Sequence, residues 1–150
     1  MHRWLPPPAV AAFFAMAMWA VPRWLPFGQF AFAAQRTLAV VLLCSGLLLM
    51  AAALFSLAKA RTTVNPLRPA RASNLVTSGV FCVSRNPIYL GDVLILAAWV
   101  LWLGAPLNFV LLGLFIGWID KVQIRAEERA LQQLFDHSYA TYCARVRRWL

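Results

Sequence analysis

The chain has 150 residues, of which 62% are hydrophobic and only 13% charged, with a mean hydropathy of +0.68 and a pI near 10.8. Those values exclude an ordinary soluble domain and point to one integral membrane domain spanning residues 1–150. The formal charge of +9 could suggest nucleic acid. Here the basic residues mostly flank apolar runs, so membrane orientation and anionic membrane lipids explain them and no nucleic-acid partner is expected. Three widely spaced cysteines, Cys44, Cys82 and Cys143, form neither a disulfide framework nor a metal cluster. Cys44 is expected to pack among apolar neighbours.

In chain order, the first apolar run is 9–21, introduced by Pro6-Pro7-Pro8 and closed by Pro22. Trp19, Pro22 and Arg23 leave no small-residue cleavage site, so the run reads as a retained span over about 6–23, lengthened by flanking tryptophans. Residues 22–29 read as a loop. The second run is uncharged across 37–58, stopped by Lys59 and Arg61, and is the clearest transmembrane helix, with its span at about 36–58. Residues 62–85 form a polar segment, expected as a loop with a short surface helix. Residues 93–119 carry no charge but contain Gly104-Ala105-Pro106. One crossing would place a basic cluster on the translocated side. A tight hairpin of two helices, about 88–103 and 106–122, keeps both clusters cytoplasmic. The expected fold is all-α with four transmembrane helices, both termini cytoplasmic, and a cytoplasmic C-terminal amphipathic helix. Along residues 121–142 helical period puts Ile124, Leu131, Leu134 and Phe135 on one face and Lys121, Arg125, Arg129, Gln132 and Asp136 on the other.

Two features break this apolar plan. Residues 76–92 gather Arg85, Asn86, Pro87, Tyr89 and Asp92 between apolar regions. Asn86-Pro87 marks a helix start, and the free N–H groups there suit a polar, partly anionic ligand. A charged interfacial anchor explains the same residues. Glu127 falls inside the apolar arc of the tail helix, with Glu128 at its edge. A carboxylate on a burying face costs free energy unless paired or liganded, and an ion pair with Arg85 or Arg71 is the simplest partner.

Together these features resemble the isoprenylcysteine carboxyl methyltransferase family, which is related to membrane phospholipid N-methyltransferases. The resemblance rests on Leu75-Val76-Thr77-Ser78-Gly79-Val80 and Ser84-Arg85-Asn86-Pro87-Ile88-Tyr89-Leu90-Gly91. It extends through the Glu127-Glu128 pair and Phe135-Asp136-His137-Ser138-Tyr139-Ala140-Thr141-Tyr142. It implies an S-adenosylmethionine-dependent methyltransferase with its cofactor pocket on the cytoplasmic side, built from about 62–92 and 120–148. Carried over, cofactor contacts fall on Leu75, Val76, Phe81, Asn86, Pro87, Tyr89 and Glu127, with Glu128 beside them. Arg85, Asn86 and Glu127 are the expected catalytic set, although Arg85 fits a structural role as well, and no metal is implied. Asn86 stands for the histidine of the eukaryotic enzymes, Phe81 for a tyrosine and Asp136 for a glycine. Gln123 stands where the family has a substrate-facing arginine, and Arg125 is the candidate replacement.

The chemistry suits these residues. A carboxylate accepts strong bonds from ribose hydroxyls or an ammonium group, an arginine pairs with the cofactor carboxylate, and an aromatic ring covers an apolar part. Methyl transfer mainly needs alignment and exclusion of water. The expected acceptor is lipophilic or small: an isoprenylcysteine-type carboxylate, a phospholipid amine or a thiol. The expected location is a prokaryotic inner membrane. Asp92 is either pocket-lining or a helix N-terminal acid. His137 reads as a surface histidine, and Trp99 and Trp102 as packing or interfacial residues. The rival readings are an NADPH-dependent membrane reductase of the sterol-reductase type and a non-enzymatic four-span scaffold or exporter. The first two runs lack the carboxylate an exporter would need.

Overall fold

The structure, a computed structural model, describes residues 6–25, 27–60 and 74–150. Among them the regular structure is entirely helical: α1 (Pro7–Trp24), α2 (Gln35–Lys59), α3 (Pro87–Leu103), α4 (Leu107–Trp118) and α5 (Arg125–Arg145). A 3-10 turn, Gly79–Cys82, precedes α3, and a π-helical stretch, Ile119–Ile124, joins α4 to α5. Among the described residues two helices are long and apolar enough to cross a membrane: α2, and the helix Leu107–Arg145 that α4 and α5 form through the π-helical stretch, kinked at Asp136. α3 is shorter but equally apolar in character. Arg71 and the 62–73 part of the surface loop expected at 62–85 lie outside the described residues, and the alternative Glu127–Arg71 pair with them.

The centre of the bundle is α3. It packs against α2, α4 and α1, and buries Leu96, Ala98, Val100 and Leu101 along with its first turns. The α2–α3 contact is close because two glycines face each other. A Cβ at Gly46 would lie 2.9 Å from the Gly91 carbonyl oxygen, and one at Gly91 would run into Met50. The core also contains Met18, Phe115, Ile119 and Ile124, with Phe14 edge-on to Phe115 at 5.4 Å. Much of α2 is exposed, including Leu47, Leu48 and Phe55, as expected for a helix facing lipid. Cys44 belongs to that exposed face. It was expected to pack among apolar neighbours, and its helix neighbours on that face, Leu43, Leu47 and Leu48, are apolar and exposed like it.

Pro22 does not end α1, which runs on to Trp24. A proline in the last turn forfeits one N–H bond, and nearby Arg23 donates to the Trp19 carbonyl at 2.6 Å while lying 3.8 Å over its ring. The α3–α4 connection is short: Gly104 caps α3 in the left-handed region at φ 64, and Pro106 precedes α4. Gly104 exchanges backbone contact with Phe30, whose N–H donates to its carbonyl at 2.8 Å, and a Cβ there would strike the Phe30 oxygen. Gln35 closes the same end by donating to the Leu101 carbonyl and accepting from Phe32 N–H at 3.1 Å. Trp99 donates to the Ala15 carbonyl at 3.1 Å, so it packs against α1, whereas Trp102 is exposed.

Candidate functional site

Local structure brings the two chemically unusual stretches together. Pro87 begins α3 with no capping side chain, and Asn86 lies outside the helical region at φ −130, ψ 53, since a following proline disfavours the α conformation. One turn later Tyr89 points across to α5 and donates its hydroxyl hydrogen to Glu127 Oε1. On the neighbouring face of α5, Glu128 accepts an ion pair from Arg85 Nη1 at 3.3 Å and another from Arg148 Nη2 at 2.7 Å. The first turn of α3 and the first turn of α5 therefore meet through two carboxylates in parallel. Glu127 takes Tyr89 as its partner and its neighbour Glu128 takes Arg85, so the alternative of a Glu127–Arg85 ion pair is not the one formed. Consecutive helical residues diverge by ~100°, so both acids cannot face one arginine.

The end of the chain completes the site. α5 is bent at Asp136, which has φ 36 and ψ −107, at the position where the family resembled carries glycine. The bend turns the last part of α5 back towards the Arg85 loop. There the Tyr142 hydroxyl donates to the Phe81 carbonyl at 2.7 Å, and Arg85 Nη1 lies against Cys143 Sγ. Beyond α5, Val146 becomes extended and residues 147–148 pass alongside 84–86. Arg85 N–H donates to the Arg147 carbonyl at 3.1 Å, and Asn86 Nδ2 donates to the Arg148 carbonyl at 2.9 Å. The Arg148 guanidinium also reaches Asp120, at 3.2 Å, and Trp149 packs on the bundle core. Arg148 was not legible as a site residue, because a terminal Arg-Arg pair reads as an ordinary basic flank.

Burial sets the protonation states. It pushes the Glu127 carboxyl up to about 7 despite the opposing effect of the Tyr89 hydrogen bond, with the Glu128 charge adding to the rise. Burial likewise raises the Tyr142 hydroxyl to about 12 and the Tyr139 hydroxyl further, so both stay protonated donors. Hydrogen bonding to Glu128 holds Arg148 above its ordinary value.

A cavity of about 710 Å³ opens beside this junction, lined by Arg85, Glu128, Tyr139, Cys143 and Arg148 together with Lys121, Arg125, Arg129 and Gln132. Arg85 Nε is buried at its edge without a hydrogen-bond partner. A second cavity, of about 910 Å³, is lined by residues that include Leu75, Phe135, His137 and Tyr142. The expected site residues thus divide. Arg85, Asn86, Tyr89, Glu127 and Glu128 converge; Pro87 is buried beneath them and Val76 nearby is buried; Leu75 belongs to the second cavity, and Phe81 contributes its carbonyl. Gln123 is buried within the π-helical stretch whereas Arg125 is exposed and lines the first cavity. His137 is exposed, with Thr141 3.3 Å away. Asp92 is buried one turn deeper in α3. Leu134, expected on the apolar face, is exposed. Among the described residues no cluster of His, Cys, Asp or Glu could hold a metal.

An apolar helical bundle with candidate membrane-crossing helices and a polar junction at one end defines a membrane protein with a site beside its helix ends. The chain belongs to the phospholipid methyltransferase family, which matches residues 34–138, the stretch holding α2, α3, α4 and most of α5. Membership does not favour the reductase or the scaffold and exporter readings. A curated protein of Haemophilus influenzae, described only as an uncharacterized protein, is 44% identical over 63 residues, covering 42% of this chain and 100% of that one. No solved structure matches.

Proposed function

We propose that this chain is an S-adenosylmethionine-dependent integral membrane methyltransferase acting on a lipophilic or small acceptor at the cytoplasmic face of a prokaryotic inner membrane. In this reading α1, α2, α3 and α4 cross the bilayer and both termini are cytoplasmic, which keeps the basic residues after α2 and α4 on one side. The observation that carries it is the junction of α3 and α5 through Tyr89–Glu127 and Arg85–Glu128.

The residues present fit the cofactor. Arg85 Nε, buried and without a hydrogen-bond partner, suits the cofactor's carboxylate. S-adenosylmethionine supplies an electrophilic methyl group. Glu127 is the acceptor for its ribose hydroxyls or ammonium group, and Tyr89 fixes the orientation of that carboxylate. Asn86 offers an amide to the adenine edge, at the expense of its bond to the Arg148 carbonyl. Glu128 and Arg148 hold Arg85 in place. The chain aligns two reactants and excludes water, an effect worth ~7–11 kcal/mol in well-oriented reactions. An amine acceptor would first lose a proton, and Glu127, with its carboxyl at about 7, is suited to take it.

The test is calorimetric titration of detergent-purified protein with S-adenosylhomocysteine and with NADPH. Binding of the former alone, strongly weakened in Glu127→Ala, is expected. Equal affinity in wild type and variant would remove Glu127 from the site, and preference for NADPH would overturn the reading.

A further inference from the structure

The cavity beside Arg85 has a second wall that the cofactor reading leaves unused. Lys121, Arg125 and Arg129 recur every four residues along one side of the helix and all line it, facing Arg85 and Arg148. Two carboxylates stand near these five cations. Glu128 is engaged by Arg85 and Arg148; Asp120 is shared between Arg148 at 3.2 Å and, more loosely, Arg125 at 3.8 Å. Among the described residues, Lys121 and Arg129 have no carboxylate within ion-pair distance, and the Arg129 Nε–H instead donates to the Arg125 carbonyl at 3.1 Å. Membrane orientation accounts for basic residues beyond the end of an apolar helix, but it does not require them to converge. Mutual repulsion favours spreading them over the surface.

We propose that this wall is a binding site for a phosphate-type anion. Three separate cations match a group whose charge is spread over several oxygens better than a lone carboxylate, which one arginine satisfies through its planar fork. Lys121 lies two residues beyond the uncharged run that ends at Ile119, so in the topology proposed above the site lies at the depth of lipid headgroups. The anion is therefore either the phosphate of an anionic lipid or a soluble phosphate. The inference does not depend on methyl transfer, since neither Tyr89 nor Glu127 lines this cavity.

The full chain in a neutral maltoside detergent is titrated at constant ionic strength with inorganic phosphate. It is titrated separately with mixed micelles containing phosphatidylglycerol or phosphatidylcholine. Thermal unfolding followed by tryptophan fluorescence reports binding. The expected result is a rise in the unfolding temperature with inorganic phosphate, identifying a soluble ligand, or with phosphatidylglycerol alone, identifying a lipid headgroup. In the variant Lys121→Gln/Arg125→Gln/Arg129→Gln the half-saturating concentration should increase about a hundredfold, at roughly fivefold for each basic group lost near an anionic surface. The charge-matched variant Lys59→Gln/Arg145→Gln/Arg147→Gln, altered outside this cavity, should bind like wild type. If the first variant fails to fold, Arg125→Gln alone should show about a fivefold loss by the same reckoning. No response of wild type to either probe, or equal losses in the cavity variant and its charge-matched counterpart, would overturn the proposal.

Discussion

Replacing Glu127 by glutamine isolates the cost of keeping an acid at the α3–α5 junction. Glutamine keeps the shape and still accepts the hydrogen bond that Tyr89 donates, but it cannot ionise. In the folded protein burial lifts the carboxyl from 4.5 to about 7, so between those values the folded state holds a proton that the unfolded chain releases. Below pH 4.5 the group is neutral in both states and wild type and variant should unfold alike. As the pH rises from 4.5 towards 7 the unfolded chain ionises while the folded one stays protonated, so the relative stability of the wild type falls, levelling off above 7 once the folded state carries the buried charge. At about 1.4 kcal/mol per pKa unit the full difference is about 3 kcal/mol. The glutamine variant should therefore be the more stable protein at pH 8.5 and indistinguishable at pH 4.5. Thermal unfolding in detergent across that range, followed by tryptophan fluorescence, measures it. Parallel pH profiles for the two proteins would refute the claim that a buried carboxyl is held at this junction. The same variant should lose affinity for S-adenosylhomocysteine at pH 8, where wild-type Glu127 is ionised, so stability and binding should move in opposite directions.

Other substitutions probe the elements that build the junction. Asp136→Gly should stabilise the fold by about 1 kcal/mol, because glycine adopts a positive φ without the strain an L side chain meets. A thermal melt showing destabilisation would contradict the bend at φ 36. Arg148→Ala leaves Glu128 and Asp120 short of a partly buried cation and should cost about 1–3 kcal/mol. Arg148→Lys should recover only part of that, since a single ammonium cannot span two carboxylates as a guanidinium does. Gly46→Val puts methyl groups against the Gly91 carbonyl and Ile95; separation of α2 from α3 should cost about 1–3 kcal/mol, measurable as a lower unfolding temperature.

Particular residues explain which features were legible. The helices were readable because an apolar run, a proline start and a Gly104-Ala105-Pro106 break are local signals that act within a few residues. Asn86-Pro87 and the misplaced Glu127 were readable for the same reason: each violates a local pattern, and such violations gather at functional sites. The partner of Glu127 was not readable. Arg85 looked like the natural counter-charge, but Tyr89 occupies that place. The choice depends on the helical phase at which α5 meets α3, after the π-helical Ile119–Ile124 has altered the turn.

The sequence by itself determined an apolar helical membrane chain, the order of its helices and the polar residues of the Arg85 and Glu127 stretches, because hydropathy, charge and proline act locally. Tertiary structure alone decided that α3 lies at the centre, that the bend at Asp136 returns the chain to Arg85, and that Arg148 joins Glu128 to Asp120. Those outcomes depend on helix phase and on contacts between residues distant in the chain, and local patterns do not encode either one.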